Sequence, residues 1–339
     1  MSIKIGINGF GRIGRLAFRR CQEEGMEVVA INDLSSPANL AYLLKYDTAH
    51  RTWEAENISS YEGGIIYKGT KIPVSAEKNP ADIDWKGADI VLECTGRFKS
   101  QETAGVHIHD SVKGVVISAP ASDKVTPTYV YGVNSDKLTA DQKVISGASC
   151  TTNCLAPICK VLNDKFGIVG GYMTTVHAYT NDQATLDIVK EKDFRRGRAS
   201  AQNIIPNTTG AAKAIGLVLP ELNGRLQGSA VRVPVLDGSL IDLHVILKKE
   251  VTKEVISAAM KEASEGELKG ILAYTEDKLV SSDILGLTCG GMYDATDTNV
   301  FTDPDGNQHV DVFGWYDNEY SYTCQLIRLA KHYAEVLGC

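Results

Sequence analysis

A cysteine at position 150 stands where a loop turns into a helix. The strand-like Lys143-Val144-Ile145-Ser146 and then Gly147-Ala148 lead into Ser149-Cys150-Thr151-Thr152-Asn153-Cys154. Leu155, Ile158, Leu162 and Phe166 then recur at helical spacing, and Gly167 is a stop signal. Ser149 suits the N-cap. The first helical turn offers unpaired backbone N–H groups and the positive end of the helix dipole. That setting predicts a lowered thiol pKa at Cys150, and the same N–H groups can hold an oxyanion or a phosphate. A small buried hydrophobe is the alternative for any cysteine, and Cys154 and Cys159, deeper in the helix, are read that way. His177, in the strand pattern of residues 171–180, is a candidate base for Cys150. A histidine satisfied within its strand is the other reading. Arg196 in Arg195-Arg196-Gly197-Arg198, Arg232 in Val231-Arg232-Val233-Pro234-Val235, and Thr208-Thr209-Gly210 before an Ala-rich helix supply the donors with which proteins hold phosphate. Ordinary ion pairing and helix capping are the alternatives there.

These residues need elements to position them. Residues 3–8 read as a buried strand that runs into Gly9-Phe10-Gly11-Arg12-Ile13-Gly14, followed by a helix and a second strand ending at Asn32-Asp33. Strand, three spaced glycines, helix, strand and terminal acid form the dinucleotide fingerprint in its required context. Gly9 permits the tight turn, Gly11 lets the backbone approach a pyrophosphate, and Gly14 lets helix and strand pack closely. Asp33 is placed to bond the adenosine ribose hydroxyls and to repel a 2′-phosphate, which favours NAD over NADP. Further strands are expected at 88–94, 113–119 and 144–146. Their alternation with helices argues for a Rossmann-type, doubly wound parallel sheet, whose strand ends place Thr95, Ser118 and Ala119 along the cofactor cleft. After residue 150 strict alternation stops, which suggests an α+β domain with a mixed or antiparallel sheet. The loop at 181–202 is long enough to suggest a functional role. The polar turn at 301–309 has no role legible in the sequence.

Composition narrows the class. A chain of 339 residues suits two domains. A formal net charge of -7 argues against general affinity for nucleic acid or an anionic membrane. The basic cluster at 195–198 lacks interleaved aromatics, so nucleic acid is not expected as a primary partner. The eight cysteines are scattered through a large chain and form no disulfide framework, and nothing completes a zinc site around Cys150 and Cys154, so no metal is expected. Neither a signal-peptide core nor a transmembrane span is legible, and the cytoplasm is the expected compartment.

The residues also carry a resemblance. Lys4-Ile5-Gly6-Ile7-Asn8-Gly9-Phe10-Gly11-Arg12-Ile13-Gly14-Arg15, Ala148-Ser149-Cys150-Thr151-Thr152-Asn153-Cys154-Leu155-Ala156-Pro157, Thr174-Thr175-Val176-His177-Ala178-Tyr179-Thr180, Asn207-Thr208-Thr209-Gly210-Ala211-Ala212-Lys213 and Trp315-Tyr316-Asp317-Asn318-Glu319 resemble the NAD-dependent, phosphorylating glyceraldehyde-3-phosphate dehydrogenase family from end to end. The resemblance implies an NAD-binding domain at 1–149, a catalytic domain at 150–315 and a final helix, within 316–339, that returns to the first domain. It implies Cys150 as nucleophile and His177 as base, with an acyl-thioester on Cys150 released by inorganic phosphate. Gly9, Phe10, Gly11, Arg12, Ile13, Asp33, Lys78, Thr95, Ser118 and Asn318 fall to NAD. Thr180 and Arg232 fall to the substrate phosphate, and Ser149, Thr151, Thr209 and Gly210, with Arg196 nearby, to inorganic phosphate. A homotetramer is implied, with the 181–202 loop packing on a neighbour. Erythrose-4-phosphate dehydrogenase, which shares the thiol chemistry, is the alternative. NAD-specific members carry a proline shortly after the Leu186-Asp187 position, where this chain has Ile188-Val189-Lys190-Glu191.

Overall fold

The computed structural model describes residues 2–191 and 193–339, so Lys192 of the long loop and Met1 of the expected first domain lie outside it. The chain divides into two compact units, Met1–Ser149 with Thr323–Cys339, and Cys150–Tyr322.

The first unit begins with β1 (Lys4–Asn8), α1 (Arg12–Glu23), β2 (Glu27–Asn32) and α2 (Pro37–Lys45). Three strands follow, β3 (Ile58–Tyr61), β4 (Gly64–Tyr67) and β5 (Thr70–Ser75), and then β6 (Ile90–Glu93), the short α3 (Gln101–Gly105), β7 (Gly114–Ile117) and β8 (Val144–Ser146). They form one eight-stranded sheet in the order β3-β4-β5-β2-β1-β6-β7-β8. From β5 to β8 every pairing is parallel. The strands are accordingly continuous apolar runs: Ile5, Ile7, Ile90, Val91, Leu92, Val115, Val116 and Ile117 are all fully buried. The order reverses at β1, where β2 lies on one side and β6 on the other, and a doubly wound sheet opens its ligand crevice at such a point. The edge β3-β4-β5 is antiparallel, with Ser59 and Ser60 of the outermost strand exposed and Ile65 of β4 buried.

The second unit opens with α4 (Cys150–Phe166) and β9 (Ile168–Ala178), joined through Gly167 at φ 75°. That left-handed conformation suits glycine. Next come β10 (Ile205–Thr208), α5 (Ala211–Val218), β11 (Leu226–Val233), β12 (Ser239–Leu247), α6 (Lys253–Glu265), β13 (Leu272–Thr275), β14 (Gly291–Thr302) and β15 (Gln308–Tyr316); the last helix, α7 (Tyr320–Val336), belongs to the first unit from Thr323 on. The sheet is mixed, in the order β10-β11-β9-β12-β15-β14-β13. The turn at 301–309 proves to be the β14–β15 hairpin: Asp303 accepts the backbone N–H groups of Asp305 and Asn307, each at 2.9 Å, and fixes the reversal. Among the described residues no helix is long and apolar enough to cross a membrane.

Candidate active site

In the first unit the glycine fingerprint does what its spacing predicts. Gly9 has φ 87°, and a Cβ there would lie 2.8 Å from the Thr95 backbone nitrogen. A Cβ on Gly14 would meet the Gly9 carbonyl oxygen at 2.1 Å, so only glycine lets α1 approach β1 this closely. A Cβ on Gly11 meets nothing within 4 Å, because this residue faces the open cleft. The cleft is a cavity of about 300 Å³ walled by Gly9, Gly11, Asp33, Lys78, Thr95 and Phe98, among others. Asp33 is held by two backbone donors, Phe10 N–H at 2.8 Å to Oδ2 and Ser35 N–H at 2.9 Å to Oδ1. Each oxygen keeps a lone pair for a further donor. The donor set and the glycine cradle fit NAD.

Within this unit Phe10, Arg12, Ile13 and Ser118 are not among the residues that wall the cavity. The Phe10 ring is buried and packs edge-on against Phe18 at 5.9 Å, so its backbone rather than its side chain serves the turn. Arg12 is paired with Asp47. Burial would raise the Asp47 carboxyl, but the Arg12 guanidinium and the His50 backbone N–H hold it down to about 2. Ile13 is half-buried beside Arg12, and Ser118 sits at the end of β7 with its N–H on the Glu93 carbonyl at 2.9 Å. Asn318 belongs to the second unit, where its side-chain oxygen accepts the Ser239 hydroxyl at 2.6 Å.

The second unit holds the cysteine centre. Ala148 takes φ 58°, a left-handed value costly for a residue with a Cβ, two residues before Cys150. Cys150 is the first residue of α4, and its Sγ lies 3.5 Å from His177 Nε2. His177 is buried near the end of β9, and its Nδ1 donates to the Ala178 carbonyl at 2.7 Å. With the proton on Nδ1, that bond turns the Nε2 lone pair toward sulfur. Strand register places Arg232 on β11 directly beside His177. Arg232 Nη1 contacts Nδ1 and donates to the same carbonyl at 3.1 Å.

The thiol differs from its expectation. Burial raises the Cys150 pKa, and Arg232 and Thr151 offset it only in part. Burial, followed by the Arg232 charge, presses His177 down to about 3. Desolvation outweighs the helix-start donors: His177 is buried and the part-buried Cys150 thiol lies against it. Desolvation thus favours the neutral form of each group, and the two stand in contact, placed to exchange a proton. Burial also pushes Cys94 up to about 12 and raises the thiols of Cys21, Cys154 and Cys159.

Sequence reasoning missed the support beneath this pair. Tyr316 is fully buried and its hydroxyl bridges Thr151 Oγ1 at 2.9 Å and Thr175 Oγ1 at 2.8 Å. Its ring stands edge-on to His177 at 5.8 Å. One side chain thus ties the head of α4 to the strand that carries the base. The signal for it lay in the Trp315–Glu319 stretch, where an aromatic ends a strand.

The expected phosphate donors are spread over several segments. Thr180 and Arg196 both donate to the Asp182 carboxylate, Arg196 at 2.7 Å, and Arg196 also reaches Asn207 Oδ1 at 3.1 Å. Thr209 Oγ1 accepts the Ala211 N–H at 3.1 Å, and Gly210 is the N-cap of α5. Ser149 precedes α4 directly.

Comparison with known proteins gives two matches to family models. Residues 3–101 match glyceraldehyde 3-phosphate dehydrogenase, NAD binding domain, and residues 149–318 match glyceraldehyde 3-phosphate dehydrogenase, C-terminal domain. The chain is similar to the glyceraldehyde-3-phosphate dehydrogenase of Clostridium pasteurianum, 53% identical over 337 residues that cover 98% of this chain and 99% of the relative. It is 54% identical to that of Streptococcus pyogenes serotype M1 over 341 residues, 99% of each chain. It is 52% identical to that of Lactobacillus delbrueckii subsp. bulgaricus over 343 residues, 98% of this chain and 99% of the relative.

Proposed function

This chain belongs to the glyceraldehyde 3-phosphate dehydrogenase family, and from that premise we infer how its residues divide the reaction. It is an NAD-dependent oxidoreductase of glycolysis acting on glyceraldehyde 3-phosphate. The names of its relatives favour that substrate over erythrose 4-phosphate.

The observation that carries the assignment of roles is the Cys150–His177 contact at the head of α4. Sγ attacks the aldehyde carbon as its proton passes to Nε2, and the N–H groups at the helix start stabilise the oxygen that gains charge. The imidazolium returns that proton to the alkoxide, giving the thiohemiacetal, and the neutral His177 then takes the hydroxyl proton as the hydride leaves. Bound NAD supplies the hydride acceptor. Inorganic phosphate releases the resulting thioester as the acyl phosphate. Arg232 and Thr180 hold the phosphate of the aldehyde. Ser149, Thr151, Thr209, Gly210 and Arg196 receive inorganic phosphate, and Asp182 yields Arg196 when the anion arrives. Asp33 sets the preference for NAD over NADP.

The fully assembled enzyme is a homotetramer in the cytoplasm. The long loop exposes Leu186, Ile188, Val189 and Phe194, an apolar surface that a neighbouring copy would cover. Light scattering that returns the mass of one chain would remove the tetramer.

NADH formation with and without phosphate tests the chemistry. Without phosphate the enzyme should give one stoichiometric burst and stall; with it, turnover is steady. Thr209→Ala should raise KM for phosphate about tenfold while leaving that for the aldehyde within about twofold, and Arg232→Leu should do the reverse. Steady NADH production in phosphate-free buffer would show that the thioester is hydrolysed and overturn the phosphorylating assignment.

A further inference from the structure

Under the nucleotide cavity lies a set of buried polar groups that the chemistry above does not use. Glu93 ends the apolar strand β6 and His107 follows α3; both side chains are wholly buried, and His107 Nε2 lies 3.1 Å from Glu93 Oε2. Glu93 Oε2 also accepts Asn8 Nδ2 at 2.6 Å. Its Oε1 accepts the Thr95 backbone N–H at 2.8 Å and the Thr95 hydroxyl. Glu93 thus gathers the Asn8 amide, the Thr95 backbone N–H and the Thr95 hydroxyl on its two oxygens, with His107 Nε2 set against Oε2. From Asn8 the bonds continue. Asn8 Oδ1 accepts Asn32 Nδ2 at 2.8 Å, and Asn32 Oδ1 accepts the Ser75 hydroxyl and the Glu77 backbone N–H, each at 2.8 Å.

The chain of bonds therefore runs His107–Glu93–Asn8–Asn32–Ser75 across the carboxyl ends of β6, β1, β2 and β5, which are neighbours in the sheet. Asn8, Asn32, Glu77 and Thr95 are at once links of this chain and wall of the cavity. Strand ends beyond the last ladder bond are free to splay, and here side chains take over the spacing that backbone pairing no longer sets. The His107 ring is fixed by Trp85 at 5.3 Å and Phe98 at 6.2 Å, and its Nδ1 has no hydrogen-bond partner, so its polar contacts all lie at the Nε2 end, with Glu93 and Asn8. We propose that Glu93 and His107 are positioning residues for NAD, anchoring a buried polar tie across four strand ends that holds the adenosine and pyrophosphate pocket at its binding width.

The proposal rests on this cavity being the NAD site, and the test separates the two. NAD and ADP-ribose, which lacks the nicotinamide, are titrated against wild type, His107→Leu, His107→Gln and Ser75→Ala. Binding of ADP-ribose to the wild type establishes the nucleotide site; its absence overturns that site and with it the tie. His107→Leu should weaken both ligands about tenfold while kcat at saturating NAD stays within about twofold, because the loss is one buried hydrogen bond in the unit that does not contain Cys150. His107→Gln, which keeps an N–H donor, should recover most of the affinity. Ser75→Ala, at the open end of the tie, should weaken both ligands about two- to threefold with an unchanged melting temperature, and it decides the matter if His107→Leu does not fold. Unchanged affinities in both His107→Leu and Ser75→Ala would overturn the proposal. So would a parallel loss of kcat, aldehyde binding and nucleotide binding in His107→Leu, which would mark a merely structural role.

Discussion

At the scale of single residues, Cys150 and His177 each pay for enclosure in opposite directions. Burial raises the thiol pKa and lowers that of the imidazole. The ionised pair forms when sulfur hands its proton across 3.5 Å to Nε2. The sign is then definite. The thiolate fraction of a raised thiol grows with pH, so alkylation of Cys150 by iodoacetamide should climb steadily between about pH 6 and about pH 9. His177→Asn removes the acceptor and should slow alkylation at neutral pH by about tenfold or more, with the deficit closing as hydroxide takes over. Mapping the label by mass spectrometry gives both curves. A wild-type rate that is flat from about pH 6 to about pH 8 would indicate a preformed thiolate–imidazolium pair and overturn the neutral resting state. The sequence places a cysteine at a helix start and stops there. It holds the dipole argument but not the degree of burial, which depends on strands far along the chain, and burial decides the direction.

At the scale of elements, the distance between nucleophile and base is set by how closely α4 lies on the sheet. A Cβ on Gly314 of β15 would meet Ile158 Cδ1 at 2.6 Å, and one on Gly291 of β14 would meet Cys154 Sγ at 2.7 Å. The helix thus rests on two glycines, and Cys154 and Ile158 fill the space where their side chains would be. Gly314→Ala should lift α4 and lengthen the Cys150–His177 contact. A stability loss of about 1–3 kcal/mol is expected from overpacking, with kcat down about tenfold to a hundredfold, since misplacement by about 1 Å is enough. Thermal unfolding and NADH kinetics on the same samples give both numbers; a lost kcat with intact Cys150 alkylation would place the defect elsewhere. The helix itself was plain in the sequence from its apolar spacing and Gly167, as were β1, α1 and β2 from the glycine fingerprint. The glycines under α4 were not legible, because their meaning depends on which helix lies over them. For the same reason β13 and β14 escaped notice, and the 301–309 turn had no reading until its flanking strands paired. Pro157 lies inside α4, which runs on through it, and nothing in the structure explains its presence.

At the scale of the whole molecule, the first unit is discontinuous in sequence. Its sheet is complete by Ser146, yet Thr323–Cys339 clusters with it. The contacts are specific. Tyr333 donates its hydroxyl to the Gln142 carbonyl, His332 Nε2 lies 3.1 Å from the Ser135 carbonyl, and Lys331 pairs with Glu24 at 3.3 Å. Gly114 on β7 is a glycine because the Tyr333 ring would stand 2.5 Å from a Cβ there. Leu326, Ile327, Leu329 and Tyr333 are each at most 1% exposed. At about 2 kcal/mol for each large apolar side chain, their removal costs about 8 kcal/mol, against a net stability of about 5–15 kcal/mol for a typical domain. The carboxyl-terminal helix is therefore part of the nucleotide-binding unit and not an appendage to it. Residues 1–149 expressed alone should be largely unfolded and bind no ADP-ribose. The same segment joined through a flexible Gly/Ser linker to residues 323–339 should fold cooperatively and bind it. Circular dichroism melts and ADP-ribose titration of the two fragments give the comparison. Equal folding and equal affinity without residues 323–339 would show that the sheet carries its own stability and that the helix merely lies against it.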